Sequence, residues 1–524
     1  MIRLVLAALL LALPAAAQTH RGGALRLLAH SAAGTLDPQV NYTAQYWQVF
    51  CATHDGLVAF RKVPGPRGLD IVPDLAAAVE PSEDGLRYTF QLRDGIRFSD
   101  GAPLRPEDVL ASLRRIFRVR GPTAETFYGA IEGADACLAD PDACTLSGVT
   151  ADGDTITIRL TRPDPEFLTK LALPHASILP ANSPQADAGT VPLPGTGPYR
   201  LVSYDPNERL HLERNRYFRE WSADAQPDGY PDIIDYEFGL EDEAEVTAIE
   251  HDQADWMFDS PPADRLAELG ARYASLVHLN PAYAMWFVPL NMHLAPFDDL
   301  RVRQAFNFAV DRDAAVKLFG GHRLAAPSCQ VLPPGLLGYA RYCPYKLDIA
   351  RARQLVAESG TAGQTVTLVT DDAPVSRAIG TYLVDVLADL GFAARLRTLS
   401  ANIQFTYIQN TANRVQASLS NWYGDYPSPS NFLGGVYGCA AFHPDSDSSP
   451  NISGFCDKAL DASMQQALDR HDAPALAAID RAITDAAPAV TLFNPDYIDV
   501  VSPRLGNYQY HETFRWLIHR SWVK

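Results

Sequence analysis

The stretch 365–398 places the strongest constraint on the fold, because it reads as a strand, a helix and a second strand in succession. Residues 365–369 and 392–398 are predicted strands, and 375–390 is a predicted helix that ends at Gly391. Two strands joined by a helix normally lie parallel in one sheet, with a right-handed crossover. We therefore predict an α/β protein.

The length of the chain predicts more than one domain. A chain of 524 residues exceeds one ordinary hydrophobic core and should divide into two or three domains. Neither an internal repeat nor a Ser/Gly-rich linker is visible in the sequence. We therefore expect short connections between the domains, as in proteins that bend at a hinge.

The N-terminus has the pattern of a secretory signal. Arg3 supplies a positive charge, residues 4–13 are apolar, and 14–17 end in small residues, which predicts cleavage after Ala17 and a mature start at Gln18. The alternative is a membrane anchor, but the apolar run is too short to span a bilayer. Since no cysteine follows the cut, a lipid anchor is not expected there. We expect an exported, periplasmic protein whose mature chain does not insert into membranes.

The charge of the chain excludes two classes of partner. The formal net charge is −18, and the lysines and arginines are scattered rather than arranged in a stripe. Such a surface repels nucleic acid and anionic lipid. We therefore expect neither as a partner.

The chain has seven cysteines, and an exported protein is free to oxidise them. Six cysteines allow fifteen connectivities, and proximity in sequence favours three local pairs. These pairs are Cys137 with Cys144, Cys329 with Cys343, and Cys439 with Cys456. Cys51 is left over in an apolar context and is predicted to be a buried free thiol.

A loop around Asp425 carries the strongest hint of a binding site. The alternating residues 416–419 indicate a strand end, and ligands of open α/β sheets lie at the carboxyl ends of strands. Trp422 and Tyr423 place aromatic rings beside the carboxylate, and Gly424 allows a ligand to approach the backbone. A carboxylate among rings holds an ammonium group by charge, hydrogen bond and ring face. The alternative is a surface turn with buried aromatics.

Five blocks follow one another along the chain in a recognisable order. They are 85–113 (GLRYTFQLRDGIRFSDGAPLRPEDVLASL), 194–199 (PGTGPY), 215–218 (NRYF), 299–313 (DLRVRQAFNFAVDRD) and 422–433 (WYGDYPSPSNFL). Together they resemble the family 5 extracellular solute-binding proteins, the peptide and nickel receptors of bacterial ABC importers. Two departures from the family pattern are visible. Arg105 stands where the family usually has threonine or a similar helix-capping residue, and an arginine side chain cannot cap in that way. Ser428 and Ser430 stand where many members have acids.

The resemblance implies a periplasmic-binding-protein-like fold: two lobes joined by a hinge, the larger with an inserted subdomain. The chain would cross between the lobes near 277–280 and 490–494. The implied boundaries are 18–50, 170–279 and 490–524 for the core of lobe I, 51–169 for its inserted subdomain, and 280–489 for lobe II.

The resemblance also implies a function and a site. The protein would be a monomeric receptor that binds peptides or related amines and delivers them to an inner-membrane ABC permease, without a cofactor. Asp425 would take the α-ammonium group of the ligand, and Arg377 falls near an arginine that binds the ligand carboxylate in some dipeptide-binding members. The alternative for Arg377 is a side chain that faces solvent. The alternative for Trp422 and Tyr423 is a place in the core of the lobe. The remaining predicted site residues are Gly424, Tyr42 and Trp47.

Other functions remain as alternatives at this point. Similar chains bind metal chelates, sugars or opines, and a receptor of this kind can instead report its ligand to a membrane sensor. The rival from another class is a secreted hydrolase. The sequence contains no GxSxG, HExxH or P-loop motif, and its 13 histidines show no metal-ligand spacing. The absence of these motifs is weak evidence against an enzyme, because catalytic groups meet in space rather than in sequence. The family resemblance is the stronger argument, and it implies a binding protein rather than an enzyme; we also predict no metal site.

Overall fold

The computed structural model describes residues 20–262, 265–447 and 449–524. The predicted signal segment, with its cleavage after Ala17, lies outside these residues. Within the described ranges, no helix combines the length and the apolar character that crossing a bilayer requires.

The helices are spread over the whole length of the chain. Their bounds are α1 Ala44–Thr53, α2 Pro106–Arg118, α3 Ala124–Tyr128, α4 Ala134–Ala139, α5 Phe167–Leu171, α6 Asp242–Glu250, α7 Arg265–Arg272, α8 Leu300–Ala309, α9 Arg312–Phe319, α10 Ile349–Ser359, α11 Pro374–Asp389, α12 Ala401–Gln409, α13 Pro429–Tyr437, α14 Lys458–Asp469 and α15 Ala473–Ala486.

The strands alternate with these helices, as expected of an α/β chain. Their bounds are β1 Ala24–Ala29, β2 Val58–Phe60, β3 Ile71–Pro73, β4 Ala76–Pro81, β5 Arg87–Leu92, β6 Val149–Asp152, β7 Thr155–Arg159, β8 Tyr199–Asp205, β9 Arg209–Arg214, β10 Ile233–Phe238, β11 Trp256–Met257, β12 Val277–Pro281, β13 Ala284–Pro289, β14 Ala325–Pro327, β15 Thr365–Asp371, β16 Ala393–Leu399, β17 Ala417–Ser418, β18 Ser420–Tyr423, β19 Ala489–Val500, β20 Leu505–Gly506, β21 Tyr510–His511, β22 Arg515–Trp516 and β23 Trp522–Val523.

The N-terminal half contains two larger sheets. One has the order β11-β1-β10-β9-β8, with β1 parallel to both of its neighbours. The other is the antiparallel sheet β4-β5-β7-β6, which lies within the predicted inserted subdomain. The strict alternation of β5 buries Tyr88, Phe90 and Leu92 on one face, where they join the large core shared by this half.

Helix α2 shows how the atypical Arg105 is accommodated. The Arg105 side chain makes no capping bond, and instead the Asp108 carboxylate accepts from the Arg105 backbone N–H at 2.8 Å. The same carboxylate accepts from the Ala181 backbone N–H at 2.8 Å. The helix start is therefore satisfied by its third residue rather than by its first.

The predicted strand–helix–strand unit is confirmed. Strands β15 and β16 pair in parallel from Thr365 opposite Ala393 to Asp371 opposite Leu399, and β17 joins β15 in parallel on the other side. Helix α11 connects them, and its buried Ile379, Leu383 and Leu387 belong to the same core as the sheet. The observed helix begins and ends one residue earlier than predicted.

The two predicted crossings lie on paired strands but not opposite each other, because residues 277–280 face 497–500 of β19 whereas Val490 and Thr491 pair with β13. Strand β12 pairs antiparallel with β19, from Val277 opposite Val500 to Pro281 opposite Asp496. Strand β19 also pairs with β13, whose other neighbour is β18. A long strand thus runs past both crossings and ends in the C-terminal segment that packs on the first core. The lobe boundaries themselves stay a prediction.

All three predicted disulfide pairs are present: Cys137–Cys144, Cys329–Cys343 and Cys439–Cys456. Cys51 is free and buried, as predicted. Each bridge closes a short local loop, which is why proximity in sequence identified the partners.

Candidate functional site

A cavity of about 150 Å³ contains Asp425 and is lined from distant parts of the chain. The N-terminal part contributes residues around the start of α1, and the middle part contributes the loop after β18. The C-terminal segment contributes the end of β19 and the turn between β21 and β22. The aromatic residues of its wall are Tyr42, Trp47, Tyr283, Tyr423 and Tyr497, and the charged ones are Asp425, Glu512 and Arg515.

Asp425 is held at the cavity by Asn431, the third residue of α13. The Asn431 side-chain amide donates to Asp425 Oδ2 at 2.8 Å, and Asn431 Oδ1 accepts from the Asp425 backbone N–H at 3.0 Å. The Tyr42 hydroxyl also interacts with the carboxylate. Both partners are neutral, and no described residue places a cation against the negative charge of Asp425.

The two aromatic residues before Asp425 differ in position. Tyr423 lines the cavity and is 39% exposed, whereas Trp422 packs against the apolar cluster under α13. Trp422 Nε1 donates to Asn431 Oδ1 at 3.0 Å, so this ring helps to orient the residue that holds Asp425. Strand alternation explains the difference, because adjacent residues of β18 face opposite sides.

Gly424 lines the cavity at a place without room for a side chain. A Cβ atom there would lie 3.0 Å from the Phe432 ring and 3.3 Å from the Tyr283 carbonyl oxygen. The backbone N–H of Gly424 donates to that same carbonyl at 2.8 Å. The glycine therefore allows the loop to lie against β13 and fixes the direction in which Asp425 leaves the strand.

Tyr42 and Trp47 line the cavity from the N-terminal half, and their contact with a ligand stays a prediction. Tyr42 is 43% exposed, and its ring lies 6.2 Å from that of Trp47. Trp47 is buried, and its Nε1–H has no hydrogen-bond partner among the described residues. A buried donor of this kind is rare in folded proteins. It is available to an acceptor on a bound molecule.

Arg377 does not join this group. It lies in the first turn of α11 with an exposed side chain, and it is absent from the cavity wall. In the part of the chain that the structure describes, its guanidinium has no hydrogen-bond or ion-pair partner. Its proposed contact with a ligand carboxylate stays a prediction.

The cation that does line the cavity, Arg515, was missed by sequence reasoning. It is buried and forms an ion pair with Asp499 at 3.0 Å. Its remaining N–H groups donate to the carbonyls of Phe258 and Ile498, and its guanidinium lies 4.8 Å from the Tyr497 ring centre. Arg515 also has φ +59°, a strained conformation that its many contacts maintain. No local sequence pattern marks this residue.

Glu512 and Thr513 were also missed. They form the turn between β21 and β22, and both line the cavity. Glu512 Oε2 and Thr513 Oγ1 are shielded from solvent and have no hydrogen-bond partner in the described ranges. Together with Trp47 Nε1, they place three buried polar atoms without a partner among the described residues on the wall of this cavity.

Burial changes the acidity of both cavity carboxylates. It raises the pKa of Asp425 to about 6, against the opposing effect of hydrogen bonds from Asn431 and Tyr42. Burial also raises the pKa of Glu512. Each carboxylate is therefore less stable as an anion than in water, and a cationic partner would restore the lost stabilisation.

Next to the cavity, Glu166 connects the two sides of the molecule. Its carboxylate accepts from the hydroxyls of Ser428, Ser430 and Tyr426, with a distance of 2.5 Å to Ser430 Oγ and 3.4 Å to Tyr426 Oη. The serines that replace acids in this chain are the residues that make this contact. Acids at those positions would repel Glu166.

The described residues contain no group of three or more His, Cys, Asp or Glu side chains able to hold a metal ion. The chemistry of the cavity is thus that of its carboxylates, its aromatic rings and its unpartnered polar atoms.

Comparisons with known proteins agree with this architecture. The dipeptide-binding protein of Escherichia coli (strain K12) is 28% identical over 435 residues, which cover 77% of this chain and 76% of that protein. The clavulanic acid biosynthesis oligopeptide binding protein 2 superposes with a TM-score of 0.86 over 96% of both chains, at 23% identity.

A periplasmic binding protein of Helicobacter pylori, solved in complex with the peptide STSA, has a TM-score of 0.79 at 20% identity and covers 97% of this chain and 99% of its own. These structures share the two-lobed fold. The model of the bacterial extracellular solute-binding proteins, family 5 Middle, matches residues 70–443. The chain therefore belongs to the family 5 bacterial extracellular solute-binding proteins.

Proposed function

We propose that this receptor binds peptides, or related small solutes with a free amine, and delivers them to an ABC permease. The observation that carries the proposal is Asp425, a carboxylate held by neutral partners at a cavity with aromatic walls. An ammonium group placed there gains a charge-assisted hydrogen bond and contact with ring faces. The peptide-binding relatives support this choice of ligand.

The other polar groups of the cavity suit a peptide backbone. Trp47 Nε1–H and Thr513 Oγ1–H are donors without partners, and a peptide supplies carbonyl oxygens as acceptors. Arg377, exposed on α11, is proposed to meet the carboxylate of a ligand that extends beyond the cavity. These contacts would bind a peptide mainly through its backbone.

Binding is proposed to close two lobes about a hinge. The connections near Asn280 and Val490 lie on the paired strands β12 and β19, which are short links between two separate cores. Small-angle scattering should show a smaller radius of gyration with ligand than without. An unchanged radius at saturation would exclude closure.

The proposal includes the setting in which the receptor works. A signal cleaved after Ala17 would export the chain to the periplasm as a monomer, where it would meet the permease. Intact mass of the exported protein tests the cleavage, because an unprocessed Met1 or an added lipid would contradict it. Light scattering tests the monomer.

The test of the ligand has two parts. Native mass spectrometry of protein purified without refolding should identify a co-purified peptide or amine. Calorimetric titration should then show tight binding of a peptide with a free N-terminus and weak binding of its N-acetylated form. Equal affinity for the two forms would reject the amine as the recognised group.

Mass spectrometry of the incubated ligand separates a receptor from a hydrolase. Two carboxylates in one cleft, here Asp425 and Glu512, are also what a glycoside hydrolase requires. We propose binding without chemical change, so a peptide or oligosaccharide incubated with the protein should be recovered with its mass unaltered. Cleavage products would favour the hydrolase.

A further inference from the structure

Glu512 gives the cavity a second carboxylate. It comes from a different part of the chain than Asp425. It lies in the turn between β21 and β22, in the C-terminal segment that packs with the first core. Its Oε2 atom is shielded from solvent and has no hydrogen-bond partner among the described residues. A buried carboxylate oxygen without a partner carries a free-energy cost of desolvation that a ligand group would remove.

No side chain of the cavity wall neutralises this carboxylate. Arg515 is the cation of the wall, and it already forms its ion pair with Asp499 at 3.0 Å. Its other N–H groups are directed to the backbone carbonyls of Phe258 and Ile498. Because the pair Arg515–Asp499 is neutral as a unit, Asp425 and Glu512 leave the cavity with two uncompensated negative charges.

The rest of the wall is suited to cations as well. Tyr42, Trp47, Tyr283, Tyr423 and Tyr497 surround a space of about 150 Å³. The faces of such rings are the negative ends of their quadrupoles and attract ammonium and guanidinium groups. Aromatic faces between two carboxylates therefore favour a ligand that is positively charged at more than one point.

We propose that the cavity binds a ligand with two cationic groups, one at Asp425 and the other at Glu512. This inference rests on the proposed function and narrows it to peptides whose first residue is lysine or arginine. The N-terminal ammonium would pair with Asp425, and the cationic side chain of the same residue would extend across the aromatic wall to Glu512.

The test compares matched ligands. Lysyl-alanine and norleucyl-alanine differ at the end of the first side chain, which is cationic in one and apolar in the other. We expect the wild-type protein to bind lysyl-alanine at least about tenfold more tightly, the size of effect that one desolvated charge pair produces. In Glu512→Gln this preference should fall below about threefold, because the affinity for lysyl-alanine falls more than the affinity for norleucyl-alanine.

A control variant separates the local pair from the overall charge. Glu83→Gln removes the same charge from an exposed turn between β4 and β5 and should keep the full preference. Melting temperatures of both variants verify that they fold. Equal wild-type affinity for the two dipeptides, or a preference that survives in Glu512→Gln, would overturn the inference.

A pair of simple amines separates this inference from the peptide proposal. 1,5-Diaminopentane has the carbon skeleton of lysine without its carboxylate, and 1-aminopentane lacks the second ammonium. If the protein binds the diamine more tightly than the monoamine, and Glu512→Gln loses this preference, two cation sites are supported. If neither dipeptide binds in that case, the peptide proposal is rejected while this inference stands. If none of the four ligands binds, both proposals are wrong.

Discussion

Two aspartates close to the cavity, Asp499 and Asp425, have opposite surroundings. Asp499 is fully buried, and its carboxylate accepts from Trp256 Nε1 at 2.9 Å and Tyr508 Oη at 2.6 Å and pairs with Arg515 at 3.0 Å. Asp425 is only partly buried and is held by neutral groups. One charge is neutralised inside the protein, and the other has no cationic partner among the described residues.

This difference separates a structural carboxylate from the one that we propose binds the ligand. Asp499 stabilises the fold because it satisfies a buried arginine, and its removal would leave that charge unpaired. Burial raises the pKa of Asp425 to about 6, so its anion is less stable in the empty protein than an ordinary carboxylate in water, although it still predominates at pH 7. Residues that bind a ligand are often unfavourable for stability in this way.

The largest expected effect is on stability at Asp499. Asp499→Asn should lower the free energy of unfolding by about 3–5 kcal/mol, because it leaves Arg515 buried without a counter-ion. Urea unfolding followed by circular dichroism measures it. Asp425→Asn, the matched control, should stay within about 1 kcal/mol of wild type or be more stable. Similar losses in the two variants would remove the distinction.

The next effect is on binding at Asp425. Asp425→Ala should weaken the binding of a peptide with a free N-terminus by about 2–5 kcal/mol, because the ammonium is left unpaired. This corresponds to a loss of affinity of roughly 30- to several-thousand-fold. Asp425→Asn should fall between wild type and Asp425→Ala. Calorimetry with the free and the N-acetylated peptide measures both. If the free and the acetylated peptide lose the same binding free energy, Asp425 only supports the loop.

A smaller effect is expected from pH. Since the anion of Asp425 binds the ammonium and its pKa in the empty protein is about 6, the carboxylate is mostly ionised at pH 7 and mostly protonated at pH 5. Affinity for a peptide with a single ammonium should therefore fall about tenfold between these values, while the amine itself stays protonated.

The measurement is best made in Glu512→Gln, where Asp425 is the remaining carboxylate of the cavity wall. Titrations at pH 5, 6 and 7 should follow a single ionisation. In the double variant with Asp425→Asn the affinity should be independent of pH. A pH dependence that persists there would assign the ionisation to another group.

The smallest effect is expected at Arg377. Because this side chain is exposed, Arg377→Ala should weaken the binding of a peptide with a free C-terminal carboxylate by at most about 1 kcal/mol, or fivefold in affinity. The C-terminal amide of the same peptide should be unaffected. Arg353→Ala, an exposed change on α10, is the control. Equal losses for acid and amide would remove Arg377 from the site.

Sequence reasoning predicted the features that depend on near neighbours. The strand–helix–strand unit at 365–398 follows from local periodicity, and the three disulfides follow from short loops. The importance of Asp425 followed from its motif. Its holder, Asn431, lies in the same motif, six residues on, and a polar side chain at the start of a helix next to a loop carboxylate was a signal that could have identified it.

The other half of the site was decided by the tertiary structure. Arg515 resembles any surface arginine in the sequence, and its neutralisation by Asp499 depends on how the C-terminal segment packs beside β19. Glu512 stands in an ordinary turn, and nothing around it in sequence reveals a buried oxygen without a partner. Trp422 and Tyr423 were separated only by the side of β18 that each one faces.

The sequence by itself determined the α/β class, the cysteine pairs and one charged residue of the site, because these depend on contacts within short segments. The tertiary structure alone decided the net charge of the cavity. That charge is a sum over Asp425, Glu512 and Arg515, which lie far apart in sequence, and over partners such as Asp499 that they have already found. Local pattern contains no information on which charges meet, since long-range packing fixes those distances.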